Sequence, residues 1–380
     1  MERLVNLSRF TRAGSAVAVG ALAFSLAACG SDPEPAGSSG DETTEASEES
    51  GDDMEGGLSG TVSGGGASSQ EAAMNAWRAG FQEANPEATV NYDPVGSGGG
   101  RTGFGDGSYK FAGSDAPLDD EEMAAAESQC GEGGVIEFPG YVSPVAVAFN
   151  LDGVDSLNMA PETIANVFLG EITSWDDEAI AADNPDADLP STDITVVHRS
   201  DESGTTENFE EYLYAAAPDV WTAEPSGVWP VDGQESAQGN SGVVGAVQAG
   251  QGTITYADAS QVGDLGSVAV GVGGEFIEYS AEAAAEVVAQ SPRTEGTSEY
   301  VYTIELERDI PGTYPIALVS YSLACTTYAD EQTAELVKGF LSYLVSEEGQ
   351  QAASEAAGSA PLSDTIREAV LPGIESISAG

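Results

Sequence analysis

The sequence predicts an α/β fold, and three observations carry that reading. From Leu58 onward, strand-like and helix-like patterns alternate along the chain. Three of the strands run into Gly/Ser turns that open helices. The 380 residues, 41% of them hydrophobic, are enough for two domains, each with its own core. In such β-α-β-α chains, ligand sites lie at the C-terminal ends of the strands.

The elements follow in order. "LSGTVSGGG" reads as a short strand ending in glycines, and in "ASSQEAAMNAWRAGF" Met74, Trp77 and Phe81 recur at helical spacing. "ATVNYDPV" is the next strand and leads into "GSGGGRTGF". "YKFAGSDAPLDDEEM" reads as a strand, a turn and a helix start capped by Asp119, with Glu122 three residues later. Then come the strand "YVSPVAVAFN", the helix "APETIANVFLG", the strand "DITVVHR" and the helix "TTENFEEYLYAAA". That last helix presents Phe209, Tyr212, Leu213 and Ala216 on one buried face. No internal repeat is visible.

The segment before these elements reads as targeting and tether. Arg3, Arg9 and Arg12 precede a short apolar run, Ala13 to Ala28, the layout of an export signal. The run is shorter than the ~20 residues a comfortable membrane span needs. It closes in "LAAC", which resembles the lipobox of bacterial lipoproteins, in which Cys29 would become the lipidated first residue. Residues 1–28 are thus expected to be a lipoprotein signal peptide. Residues 29–57, acidic and almost without apolar side chains, are expected to be a disordered, self-repelling tether.

Composition narrows the function. With 64 Asp and Glu against 11 Lys and Arg, the net charge is -53, and phosphate-backbone binding to nucleic acid is excluded for want of clustered cations. A single histidine and no Cys-x-x-Cys leave no typical zinc site, so neither a metal nor a cofactor is expected. With Cys29 lipidated, Cys130 and Cys325 remain; in an exported chain they read as a disulfide, with two separate buried thiols as the alternative.

Three loops share one design of strand, Gly/Ser turn and helix N-terminus: Gly64 to Ser69, Gly96 to Gly100, and Ser203 to Thr206. Helix N-termini expose unpaired N–H groups and partial positive charge, hydroxyls add donors, and together three such loops suggest an oxyanion site. "GGGRTG", Gly98 to Gly103, matches a dinucleotide fingerprint, but an exported chain rarely meets such cofactors and Arg101 lies inside it. A hydrolytic triad would need His198, which strand alternation turns away from its neighbour Arg199; His198 reads as structural, and no catalytic residue is expected. Beside the third loop, Arg199 could hold the anion or merely pair with Asp201 and Glu202. "SDAPL" places a carboxylate, Asp115, at a strand end. Asp115 would repel most anions, yet it could accept the proton that phosphate carries and sulfate lacks. Its plainer role is a turn or cap residue.

These motifs, taken in order, carry a resemblance. "GGGASS", "VNYDPVGSGGG", "FAGSDAPLDDEE", "VFLGEITSWDDEAIAADNP" and "ITVVHRSDESGTTENF" resemble the phosphate-binding proteins of phosphate-specific ABC transporters, from about Leu58 to the C-terminus. The resemblance implies a type II periplasmic-binding-protein fold: two α/β lobes joined by two crossing segments, with the ligand in the cleft. Lobe I would comprise 58–141 and 316–380 and lobe II 142–315, with crossings near Pro139 to Val145 and Pro315 to Tyr321. Both cysteines would then lie in lobe I. The resemblance further implies phosphate contacts from Ser68, Ser69, Ser97, Asp115, Arg199, Ser203, Gly204 and Thr205, with Asp201 orienting Arg199. Where relatives often carry Thr-Phe, this chain has Ser68-Ser69, which keeps the first hydroxyl and the second backbone N–H. Arg101 is left between a ligand contact and a solvent or Asp-paired role. The expected protein is a monomeric receptor, lipid-anchored on the outer face of the cell membrane, that passes phosphate to a permease and its ATPase. A receptor for another tetrahedral oxyanion and an exported phosphatase or hydrolase are the rival readings.

Overall fold

The computed structural model describes residues 57–295 and 297–380; the expected signal peptide, Cys29 and the expected tether up to residue 56 lie outside them. In chain order the described elements begin with β1 (Ser59–Gly66), α1 (Glu71–Ala84), β2 (Glu87–Asp93), α2 (Ser97–Gly105), β3 (Phe111–Ser114) and α3 (Asp120–Cys130). Next are β4 (Val135–Asn150), β5 (Ser156–Met159), α4 (Pro161–Leu169), α5 (Glu178–Asp183), β6 (Thr195–Arg199) and α6 (Gly204–Ala216). Then follow β7 (Glu235–Ala237), α7 (Gly239–Ala249), β8 (Thr253–Asp258), β9 (Gly266–Val272), β10 (Glu275–Ile277) and α8 (Ala281–Gln290). The chain closes with β11 (Ala317–Cys325), β12 (Thr327–Tyr328), α9 (Glu331–Val345), α10 (Glu347–Ala357), α11 (Asp364–Glu375) and β13 (Ser378–Ala379).

This is the mixed α/β architecture that the alternating patterns predict. One curled sheet runs β2-β1-β3-β11-β4-β8-β6-β7, with β9 branching from β4 and carrying β5 and β10. Parallel pairs form the two flanks, β2-β1-β3 and β8-β6-β7. The middle is antiparallel, with β11 between β3 and β4, and β4 paired with β8. The long strand β4 ties the flanks together: its first part pairs with β11 and its last six residues with β8.

β4 starts at Val135, upstream of the "YVSPVAVAFN" read from the sequence. Pro139 and Gly140 interrupt the apolar pattern there, and proline cannot donate to a ladder. The strand tolerates them because the register against β11 shifts at this point, with a bulge between Ser320 and Tyr321.

The helices bury the faces their spacing predicts. α1 buries Met74, Trp77 and Phe81, and the Trp77 indole donates to Gly349 O at 2.8 Å. α6 buries Phe209, Tyr212 and Leu213, whereas Ala216 is half-buried. The start of α3 is a full capping box: Glu122 N donates to Asp119 Oδ1 at 2.7 Å, and Asp119 N to Glu122 Oε2 at 3.1 Å.

Cys130, at the end of α3, and Cys325, at the end of β11, form a disulfide across a sequence separation of 195. Closing so long a loop removes much freedom from the unfolded chain. Replacing both cysteines by serine should therefore lower the unfolding free energy by about 2–5 kcal/mol. Denaturant titration checks this; equal midpoints for the variant and the oxidised wild type would show that the bridge is not stabilising.

Candidate ligand-binding site

The three Gly/Ser loops converge at strand ends, and their hydroxyls meet around one carboxylate. Asp115 follows β3 and is 3% exposed. Ser69, from the loop after β1, donates its hydroxyl to Asp115 Oδ1 at 2.6 Å. Thr205, in the first turn of α6, donates to Oδ2 at 2.9 Å. Asp115 N donates to Ser97 Oγ at 3.1 Å, at the start of α2. The Asn208 side chain donates to Asp115 O at 2.7 Å and to Gly204 O at 2.9 Å. Asp115 is therefore held from all three loops at once.

Burial raises the Asp115 carboxyl above its ordinary value. The Ser69, Ser320 and Thr205 hydroxyls and the Arg199 charge work in the other direction. A carboxylate in such surroundings gains affinity for a proton while keeping donors around it.

Arg199 ends β6 and is 3% exposed, the opposite burial to that expected of a cation in solvent. Its Nε donates to Asp201 Oδ1 at 2.8 Å, and its Nη2 forms a second, very short bond to Asp201 Oδ2. The remaining arm, Nη1, points to Thr205 Oγ1 at 3.4 Å. Burial alone would raise the Asp201 carboxyl, but Arg199 and the Gly239 N–H hold it below the ordinary range. The pair fixes the plane of the guanidinium, since a two-toothed carboxylate bond leaves little rotation. His198 faces the other way, as alternation requires: its ring stacks on Trp229 with centroids 5.5 Å apart, and Nδ1 lies 2.8 Å from Arg199 O.

The expected site residues thus occupy one connected network, with differences of detail. Ser203 caps α6, its Oγ accepting from Thr206 N at 3.1 Å while its own N–H donates to Gly227 O. Only its hydroxyl proton is left as a donor. Gly204 lies against Asp115 so closely that a Cβ there would sit 2.7 Å from Asp115 Cβ. Ser69 engages Asp115 through its side chain. Arg101 is neither solvent-exposed nor paired with an Asp: it donates to Glu122, Glu202 and Ser114.

Asn240 escaped the sequence reading. Its backbone N and Nδ2 donate to Ser68 Oγ at 3.0 and 3.1 Å, and Nδ2 also reaches Thr205 Oγ1 at 3.2 Å. Asp258 N donates to Asn240 Oδ1 at 2.8 Å, which fixes the amide orientation. Asn240 is in the first turn of α7, in "GNSG", a fourth strand–Gly/Ser–helix loop. Its strand, β7, has only three residues, too few for alternation to mark it. Gln261 was likewise missed; it donates to Ser68 O at 2.6 Å.

Among the described residues no cluster of three His, Cys, Asp or Glu side chains could hold a metal ion. Among them, too, no helix is long and apolar enough to cross a membrane.

The family model of the PBP superfamily domain matches residues 44–348. Phosphate-binding protein PstS 3 of Mycobacterium tuberculosis is 35% identical over 343 residues, covering 89% of this chain and 90% of the relative. PstS 2 of the same organism is 31% identical over 379 residues, covering 97% of this chain and 100% of the relative. Among solved structures, a high-affinity periplasmic phosphate-binding protein bound with phosphate matches with TM-score 0.66 at 23% identity, covering 82% of this chain and 93% of that one. A phosphate-binding protein from Stenotrophomonas maltophilia matches with TM-score 0.66 at 21% identity, covering 83% of this chain and 94% of that one. With the fold, the ordered motifs and near full-length relatives in agreement, the chain belongs to the PstS family of phosphate-binding proteins, within the PBP superfamily.

Proposed function

We propose that this protein binds inorganic phosphate outside the cell and delivers it to the permease of an ABC transporter. The observation that carries the reading is Asp115, a buried acceptor ringed by hydroxyls, helix N-termini and one clamped arginine. A fully deprotonated oxyanion has nothing to give that carboxylate, whereas phosphate near neutral pH gives it a proton in a short charge-assisted bond. Ser68, Ser69, Ser97, Arg199, Ser203, Gly204 and Thr205 supply the donors, and Asp201 orients Arg199. No bond is made or broken at the site.

An anion receptor with net charge -53 is not a contradiction. Water-excluded donors act at contact distance, while the distant surface charge is screened within about 8 Å at physiological ionic strength. Micromolar affinity requires about 8 kcal/mol. Several charge-assisted bonds at about 1.5–3 kcal/mol each supply that gross amount before ordering costs.

In this reading residues 58–141 with 316–380 form one lobe and 142–315 the other, and the chain crosses between them near Pro139 to Val145, within β4, and near Pro315 to Tyr321, at the start of β11. The protein is exported, held by a lipid on Cys29 to the outer face of the membrane, and works as a monomer beside its permease and ATPase. Calorimetric titration of ligand-stripped protein with phosphate, arsenate and sulfate tests the function. Tight phosphate binding with sulfate at least 100-fold weaker is expected, at roughly the discrimination a buried unmet acceptor provides. Tight sulfate binding, or no phosphate binding, would overturn it.

A further inference from the structure

Resting on the two-lobe reading above, we infer that Arg101 and Glu202 form a latch across the cleft that sets how long phosphate stays bound, without either side chain touching it. Arg101 lies on α2, and its side chain is 5% exposed. Two of its arms are fixed on its own side of the cleft: Nε to Glu122 Oε1 at 2.7 Å and Nη1 to Ser114 Oγ at 3.1 Å. Glu122 is itself locked by the capping box of α3. The third arm, Nη2, reaches Glu202 Oε1 at 2.9 Å, a residue 101 positions later in the loop before α6. Arg101 is thus pre-organised, and only the last bond depends on closure.

The glycine-rich loop is shaped for this contact. Gly98 N donates to Glu202 O at 3.2 Å, and a Cβ on Gly98 would sit 2.5 Å from Glu202 Cδ. Gly96, with φ 97°, would place a Cβ 2.3 Å from Asp201 Oδ2. These two glycines make room for the acidic pair arriving from the other lobe, so the loop is fitted to closure as well as to a ligand.

Charge gives the latch its purpose. Closing the cleft brings Glu202 and Glu207 into the field of a guanidinium that already holds Glu122. Without a cation, those carboxylates would oppose closure in a chain already this acidic. Arg101 supplies it, and its planar fork can serve carboxylates on both sides together.

The side chain of Glu202 is 48% exposed, and among the described residues its ionic partner is Arg101 alone. Glu202→Gln therefore tests the latch without burying a defect. Stopped-flow measurement with inorganic phosphate should show release about three- to fivefold faster than wild type, the range of a part-exposed ion pair. Association should stay within about twofold, because affinity changes of this kind fall mainly on the off-rate. Glu355→Gln, the same charge change on the exposed face of α10, should leave both rates unaltered. Arg101→Gln should also speed release, and adding Glu202→Gln to it should bring no further acceleration, because the pair is already broken and one repelling carboxylate is removed. Equal release from Glu202→Gln and wild type, or additive effects in the double variant, would overturn the latch alone. Wild-type protein that binds no phosphate would overturn the functional reading and the latch with it.

Discussion

Asp115→Asn is expected to lower the ratio of phosphate to sulfate affinity by roughly 100-fold or more. The wild-type carboxylate accepts only; it is held by Ser69 and Thr205 and raised in proton affinity by burial. An asparagine keeps one acceptor and adds an N–H₂ donor in nearly the same volume. Sulfate then gains a partner where it met a repelling charge, and phosphate loses its charge-assisted bond. Phosphate binding should weaken while sulfate binding strengthens, and calorimetry with both anions reads the two changes separately. An unchanged ratio would remove Asp115 from the role of proton acceptor. The hydroxyls of Ser69 and Thr205 can rotate to donate or accept, so the substitution leaves no buried hydroxyl stranded.

Arg199→Gln should weaken phosphate binding by roughly 100- to 1,000-fold, the loss of up to two charge-assisted bonds. Arg199 is the cation of the network, and Asp201 already occupies two of its donors, so its freedom to reorient is small. Arg199→Lys restores the charge but not the fork, and should recover only part of the loss. Asp201 keeps its bond from Gly239 N in either variant, which limits damage to the fold. Phosphate affinity within tenfold of wild type in Arg199→Gln would show that backbone donors at the helix N-termini hold the anion without it.

What the sequence disclosed follows the range of each interaction. The loops at Ser68, Ser97 and Ser203 were legible because strand, turn and helix start are adjacent in the chain, as was the capping box at Asp119. The opposite facing of His198 and Arg199 followed from strand period alone. Asn240 was not legible, since its meaning comes from Ser68, 172 residues earlier. Arg101 was left between two roles because its decisive partner, Glu202, lies 101 residues away and reaches it only through the tertiary fold. The upstream half of β4 was hidden by Pro139, which the local pattern forbids and a register shift against β11 permits.

The pairing of β4 with β11 has a mechanical consequence. Two separate linkers could swing and twist independently, giving many open forms. In the proposed two-lobe reading, the crossings near Pro139–Val145 and Pro315–Tyr321 are hydrogen-bonded to each other, from Ala317↔Pro144 to Tyr321↔Pro139, as one ribbon. A ribbon bends readily about one axis and resists shear along its own ladder. Under that reading, motion of the two lobes is close to a single coordinate, and a dye on either rim should report one relaxation rate rather than several.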